Sequence, residues 1–418
     1  MKRNYGIIFL ILLIFFVISF LTNIIGPLVP DIIRSFDLSR SMAGFLPFAF
    51  FIAYGVSSIP AGMAIEKYRE KKVMLFAFAM AMSGSLLFSV FPSYTIVLFS
   101  LFMIGMGMAV LQVAINPLLR VAGGEEHFAF NSVLAQLAFG GASFLSPQVF
   151  SYLVSGIESG QSDSLIISTL RDLVPAGLSW VSLYWIFTVV SVIMLLIIAL
   201  VRFPKVELKE DEKAGGWDTY KELFASKTVW LFFLAIFCYV GVEQGIANWI
   251  SEYLYSYHEV DPRLGGADTV SSFWGLLTLG CLLGLVLLKF LDSRTVLKLF
   301  SLLALVSLLL ALFGSRSMAL VAFPACGFFA SVMWSVIFSL ALNSVKKHHG
   351  SFSGILCTGI VGGAVMPLIV GALADIIGLR GGMFFLILPL AYIFSVGFWA
   401  RPLVSNATIS LKTRKEIV

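Results

Sequence analysis

The sequence predicts an all-α membrane protein of twelve transmembrane helices in two six-helix bundles, and three observations carry that prediction. First, 59% of the 418 residues are hydrophobic and 12% are charged, against about 45–50% and about 25% in soluble domains. The mean hydropathy is +0.97, and so few charges cannot cover a water-facing surface. Second, charged and Gly/Pro-rich breaks divide the chain into twelve apolar stretches of about the 20 residues a helix needs to cross a bilayer. Third, the basic residues fall rhythmically on alternate connections, as the bias of Lys and Arg toward the cytoplasm requires.

In order, the stretches run 6–30, 42–65, 72–91, 95–119, 131–154, 178–201, 228–254, 269–291, 295–314, 317–344, 352–374 and 381–401. The opening MKRNYGIIFLILLIFFVISF reads as a retained first span rather than a secretory leader. Its apolar run continues to about Pro30, beyond the roughly 7–15 residues of a leader's core, and no small-x-small cleavage site follows. With both termini cytoplasmic, inner segments hold 22 of the 28 basic residues, and the outer ones keep only Arg34, Arg40, Arg171, Arg263, Arg316 and Arg380. The expected location is therefore the cytoplasmic (inner) cell membrane, multi-pass. The mixed-charge segment 203–227, with Gly215-Gly216, reads as a cytoplasmic linker between a first bundle over 1–202 and a second over 228–418.

Several classes of chemistry have no support. Cys238, Cys281, Cys326 and Cys357 lie inside apolar stretches, where packing is the expected role, and their spacing matches no zinc motif. His127, His258, His348 and His349 fall in predicted loops. No nucleophile elbow, zinc-protease motif, Walker loop or dinucleotide fingerprint is present, so neither an enzyme nor an ATP-driven pump is expected. No cofactor is called for beyond a coupling ion. The net charge of +5 follows from topology and calls for no nucleic-acid partner. The Asn-Ala-Thr at Asn406 falls in the predicted cytoplasmic tail and is discarded as a glycosylation site.

The seventh stretch, TVWLFFLAIFCYVGVEQGIANWISEYL, carries the polar residues around which the others are organised. Glu243 stands near its centre, where a charged side chain costs on the order of 2.5–3.5 kcal/mol on insertion scales. Such a residue is usually kept for function, although a carboxyl tied to a neighbouring helix is the structural alternative. Glu252, on the same stretch, lies near its outer end and is expected to reach water; Asp31, Glu66, Asp292 and Asp375 sit at span ends. Tyr239 and Glu243 are four apart, as are Gln244 and Asn248, so each pair shares a helix face. Gly241 and Gly245 permit close packing or bending there. Gln112 and Asn116 repeat the spacing in the fourth span before Pro117, the fifth adds Gln136, and the first adds Thr22 and Asn23. Paired amides in a membrane serve either as interhelical hydrogen bonds or as ligand contacts. Trp180, Trp185, Trp230 and Trp399 sit near predicted interfaces, whereas Trp249, Trp274 and Trp334 lie deeper. An aromatic face beside amides suits a sugar, which has C–H faces and a rim of hydroxyls; lipid-facing packing is the alternative.

The stretches SIPAGMAIEKYREKK, QVAINP, AQLAFGGA, YVGVEQGIANWISEYL, SVMWSVIFSLALNSV and GSFSGILCTGIVGGAVMPLIVGALADIIG together resemble the major facilitator superfamily. More narrowly they resemble its fucose/galactose/glucose:cation symporter branch. The resemblance implies the major facilitator fold, a monomer, and hexose uptake by alternating access between the bundles. The expected substrate-binding set is Gln112, Gln136, Gln244, Asn248, Trp249, Trp274, Trp334 and Asn23, with Glu243 as the coupling residue. The ion is a proton or sodium; for sodium, Glu243 and Asn248 are the candidate contacts, and no metal site is firm. Gly62, Glu66 and Arg69 match the loop motif after the second span, a conformational latch in which Glu66 stands where Asp is usual. Fucose symporters of this branch carry an acid near the position of Gly26, a glutamate at that of Gln112 and an asparagine near that of Phe139. These departures point away from a fucose:proton mechanism and toward glucose or galactose. The rivals are a carrier of another metabolite or drug on the same fold, or a non-transporting sensor.

Overall fold

The computed structural model describes residues 5–123, 128–160, 164–203, 217–288, 290–345 and 348–402. The first half comprises α1 (Tyr5–Thr22), α2 (Ile25–Phe36), α3 (Arg40–Tyr68), α4 (Glu70–Val90), α5 (Tyr94–Gly123), α6 (Phe128–Ser159), α7 (Leu165–Leu173) and α8 (Ser182–Leu200). A short helix α9 (Trp217–Phe224) follows. The second half contains α10 (Lys227–Ala247), α11 (Ile250–His258), α12 (Ala267–Leu287), α13 (Ser293–Phe313), α14 (Arg316–Ala330), α15 (Met333–Leu342), α16 (His349–Thr358), α17 (Gly362–Phe384) and α18 (Ile387–Trp399). Among the described residues, eleven segments are long and apolar enough to cross a membrane, and the last, Ser351–Trp399, is 49 residues long. That is twice a crossing. Gly378 breaks it with a φ of +78°, a conformation open to glycine and costly to other residues, so the chain crosses twelve times.

Twelve crossings put the two ends of the described chain on one face, called proximal here; the opposite face is distal. The first crossing is longer than the sequence suggests. Rather than ending near Pro30, it runs to Phe36 as α1 and α2, with Pro30 inside the helix. Pro27 explains the break between them: it has no N–H to donate to the carbonyl of Asn23, four residues back, and its ring crowds that oxygen. The seventh crossing is broken at the matching place, between α10 and α11, without a proline. There the amide nitrogen of Asn248 donates to the Gln244 carbonyl (2.8 Å), and the Trp249 N–H reaches back only three residues, to Ile246 (3.0 Å).

The halves meet along two helix pairs, α3 with α17 and α6 with α12, and the short arms α2 and α11 cross at the distal end. Small residues allow this close approach. A Cβ on Gly44 of α3 would lie 2.9 Å from the Leu368 Cα, and one on Gly275 of α12 would lie 2.9 Å from the Phe144 ring. Among the described residues, α5 makes no extended contact with α14 or α15. The segment between the halves holds α9, which packs onto the second half: Tyr220 is buried near Gly354, and Glu222 lies 3.5 Å from His348. Its residues 204–216 lie outside the described residues.

Candidate functional site

The break in the seventh crossing gathers polar groups at mid-helix. The Tyr239 hydroxyl donates to the Glu243 carboxylate at 2.9 Å, and the Tyr239 ring lies 6.1 Å from that of Trp334 on α15. Glu243 and Trp334 are both half-buried. No cation pairs with Glu243 among the described residues. Gln244 is buried where the halves meet, against Gly363 of α17, and its side-chain oxygen accepts from Asn248 at 3.2 Å. Gln244 also hydrogen-bonds the Glu243 carboxylate, and the Asn248 side-chain oxygen is an acceptor for a hydroxyl or an ion.

The corresponding break in the first crossing is neutral. Asn23 donates to Ser143 of α6 (2.8 Å) and to Ser19 (3.2 Å), and the two serine hydroxyls lie 2.5 Å apart. The Asn23 carbonyl oxygen is buried without a protein partner among the described residues, and so is the indole N–H of Trp274, which is 2% exposed. Such groups normally find a partner. One residue along α6 from Ser143, Phe144 packs on Gly275 beside Trp274 and its carbonyl accepts from Ser271, so these residues form one layer through α1, α6 and α12.

Other expected contacts are placed differently. Trp249 is 1% exposed, and its indole N–H donates to the Pro367 carbonyl (3.1 Å), so its polar edge is used within the second half. Gln112 is half-buried on α5, and Gln136 is exposed on α6 toward the proximal end. The side chains of Asn116 and Glu66 lie outside the described residues. Of the expected latch, Gly62 has open space around it, and Arg69 is exposed at the α3–α4 junction with a φ of +67°. Neighbouring Lys71 instead donates to carbonyls at the end of α8, Ala199 (2.7 Å) and, just beyond the helix, Val201 (2.8 Å).

A charged seal that the sequence does not announce closes the distal end. Glu252 does not reach water: it is 6% exposed and pairs across the halves with Arg40 at 3.3 Å. Asp31, at 3% exposure, accepts from Arg263 of the second half at 3.1 Å and from Arg34 at 3.3 Å. Arg263 also pairs with Glu158, and its backbone is fixed by Asp261, whose carboxylate accepts the Arg263 N–H at 2.7 Å. Gln148 donates to Asp268 across the halves at 3.0 Å. Beside this network, partial burial and the charges of Arg380 and Arg316 hold His258 below the ordinary imidazole range. The one signal in the sequence was that six arginines, and no lysine, remain on the sparsely basic side. Arginine is favoured where charges pair in partly buried sites.

Gly26 has a structural account as well. A Cβ there would lie 2.5 Å from the Ala247 carbonyl oxygen and 3.4 Å from the Asn248 Cα. The two broken crossings thus touch backbone to backbone, and an acidic side chain has no room at this position in this arrangement.

Residues 11–359 match the Major Facilitator Superfamily. The chain is 30% identical over 410 residues to a glucose/galactose transporter of Brucella abortus, covering 95% of this chain and 94% of that one. It is 27% identical over 392 residues to the L-fucose-proton symporter of Escherichia coli, covering 90% and 89% respectively. Among solved structures, the E. coli fucose:proton symporter superposes with a TM-score of 0.67 at 22% identity, over 94% of this chain and 98% of that one. A bacterial homolog of the human lysosomal transporter Spinster, inward-facing and unoccupied, gives a TM-score of 0.77 at 16% identity, over 94% and 96%.

Proposed function

We propose that this chain, which belongs to the Major Facilitator Superfamily, is a symporter that takes up a hexose such as glucose or galactose together with a proton or sodium ion by alternating access. The observation that carries the reading is Glu243, a carboxylate at the break of the seventh crossing. It is held by Tyr239, flanked by Gln244 and Trp334, and without a cationic partner among the described residues. Among the described residues, the other buried acids, Asp31 and Glu252 at the distal end, are already paired with arginine. A carboxylate left without an internal cation is the group that a proton or sodium would satisfy. The neutral layer around Asn23 and Trp274 supplies an acceptor and a donor suited to sugar hydroxyls, and the relatives named for glucose, galactose and fucose support that substrate class.

In this reading the sealed distal face is the extracytoplasmic one, and the structure is closed to the outside. Solute and ion enter when the seal parts and leave toward the cytoplasm when it re-forms. Coupling supplies the driving force. One cation moving down 100 mV releases about 2.3 kcal/mol, and at about 1.4 kcal/mol per tenfold this supports roughly fiftyfold accumulation of a neutral sugar.

The test is uptake of labelled glucose and galactose into liposomes under imposed proton or sodium gradients, comparing the parent with Glu243→Gln. The variant is expected to retain sugar counterflow and lose accumulation against a gradient. Undiminished accumulation would remove Glu243 from coupling, and no flux of either hexose in the parent would refute the substrate assignment.

A further inference from the structure

The first turn of α3 presents N–H groups with no partner in their own helix, as every helix start does. Ser39, the residue before the helix, accepts one of them: its side-chain oxygen takes the Met42 N–H at 3.2 Å. The other two find a partner in the opposite half. Asp375 of α17 accepts the Arg40 N–H through one carboxylate oxygen at 2.9 Å and the Ser41 N–H through the other at 2.8 Å. A carboxylate also complements the positive end of the helix dipole. Gly371, one turn earlier on the same face of α17, makes this reach available, because a Cβ there would collide with the Arg40 carbonyl oxygen and the Trp249 ring. The Arg40 side chain meanwhile runs to Glu252 and to Ser256 (3.2 Å) in the same opposite half. One residue therefore carries three cross-half bonds, one through its backbone and two through its side chain.

We propose that Asp375 is a gating residue of the transport cycle: it caps α3 from the other half, and this cap breaks each time the distal face opens. Helix caps are usually local and survive any rigid-body motion of the helix. This one spans the moving interface, so the first turn of α3 is fully satisfied only in the distally closed arrangement. When the halves part, water replaces the carboxylate, and the difference sets part of the balance between the two states. The inference rests on the alternating-access reading above and not on the identity of the solute.

The test measures that balance without sugar. Spin labels go on cysteines placed at Asp172 and Ser317, exposed distal positions in the two halves, with the four native cysteines replaced by alanine. Asp375→Asn is expected to raise the ratio of long to short label distances about fivefold, equivalent to the ~1 kcal/mol typical of a lost helix cap. A second pair of variants isolates the backbone donor. Arg40→Ala removes the pair with Glu252 and keeps the N–H, whereas Arg40→Pro also deletes the N–H at a first helical position where proline is well tolerated. Arg40→Pro should open the distal face further than Arg40→Ala, by about threefold. Unchanged distances in a folded Asp375→Asn protein, or identical populations for the two Arg40 variants, would overturn the proposal. A parent that carries no hexose but shows these shifts would refute the substrate assignment and leave the gate intact.

Discussion

The first and seventh crossings occupy matching places in the two halves, and both are broken at mid-membrane, yet they are built from opposite materials. The first is opened by Pro27 and lined by neutral groups: Ser19, Asn23 and, from α6, Ser143. The second has no proline. It opens where the Trp249 N–H turns back to Ile246, and it carries the carboxylate of Glu243 under the Tyr239 hydroxyl. A broken helix exposes backbone groups wherever it lies; only the second break adds a charge. Duplicated architecture thus supplies two polar platforms, and in the cycle proposed above the residues on them divide the work: hydroxyl recognition on the first, ion response on the second. The distal arms beyond the breaks, α2 and α11, then bring the halves together.

The largest expected effect comes from forcing the two breaks apart. Gly26→Val places a branched side chain where the Ala247 carbonyl already leaves no space for a Cβ. Overpacking of this kind costs about 1–3 kcal/mol, roughly a 5–150-fold change in population. Turnover should fall at least tenfold, while sugar added from the distal side still binds. Parental turnover would mean that the crossings need not touch during the cycle.

Next comes the asymmetry itself. Tyr239→Phe removes the donor to Glu243, and hydrogen bonds to charged groups contribute about 1.5–3 kcal/mol. Accumulation driven by the cation should drop about tenfold, with sugar counterflow within threefold of the parent. The mirror experiment, Asn23→Ala, should weaken sugar affinity about fivefold and leave the cation dependence of uptake unchanged. If Asn23→Ala alters the ion response while Tyr239→Phe alters only sugar affinity, the division of labour is reversed.

The fold was legible because the bilayer imposes it. Apolar length and the alternation of basic residues over twelve stretches are properties of the chain itself, and Glu243 stood out as a carboxylate in the middle of one of them. The distal seal was not legible. Asp31 and Arg263 are separated by 232 residues, Arg40 and Glu252 by 212, and no local pattern announces a partner at such range. Glu252 looked free to reach water because its position along the span is near the end; what buries it is the crossing of α2 over α11. Trp249 is a related case: the sequence shows its depth in the membrane, which suits a sugar-facing ring, and not the Pro367 carbonyl that takes its N–H.

Asn248 separates structure from recognition most finely. Its amide nitrogen donates to the Gln244 backbone oxygen at 2.8 Å and to the Gln244 side-chain oxygen at 3.2 Å. The backbone oxygen also keeps the Asn248 N–H at 3.0 Å, so Asn248→Ala orphans no carbonyl and should cost only about 1 kcal/mol. For a chain with halves of this size, that is a fall in melting temperature of roughly 2–4 °C. The freed Gln244 oxygen then has to find another donor at the interface of the halves, and sugar affinity should change no more than about threefold. A melting temperature equal to the parent's together with a tenfold or greater loss of binding would show instead that the Asn248 amide faces the solute, and that the second break, like the first, reads hydroxyls as well as holding the charge.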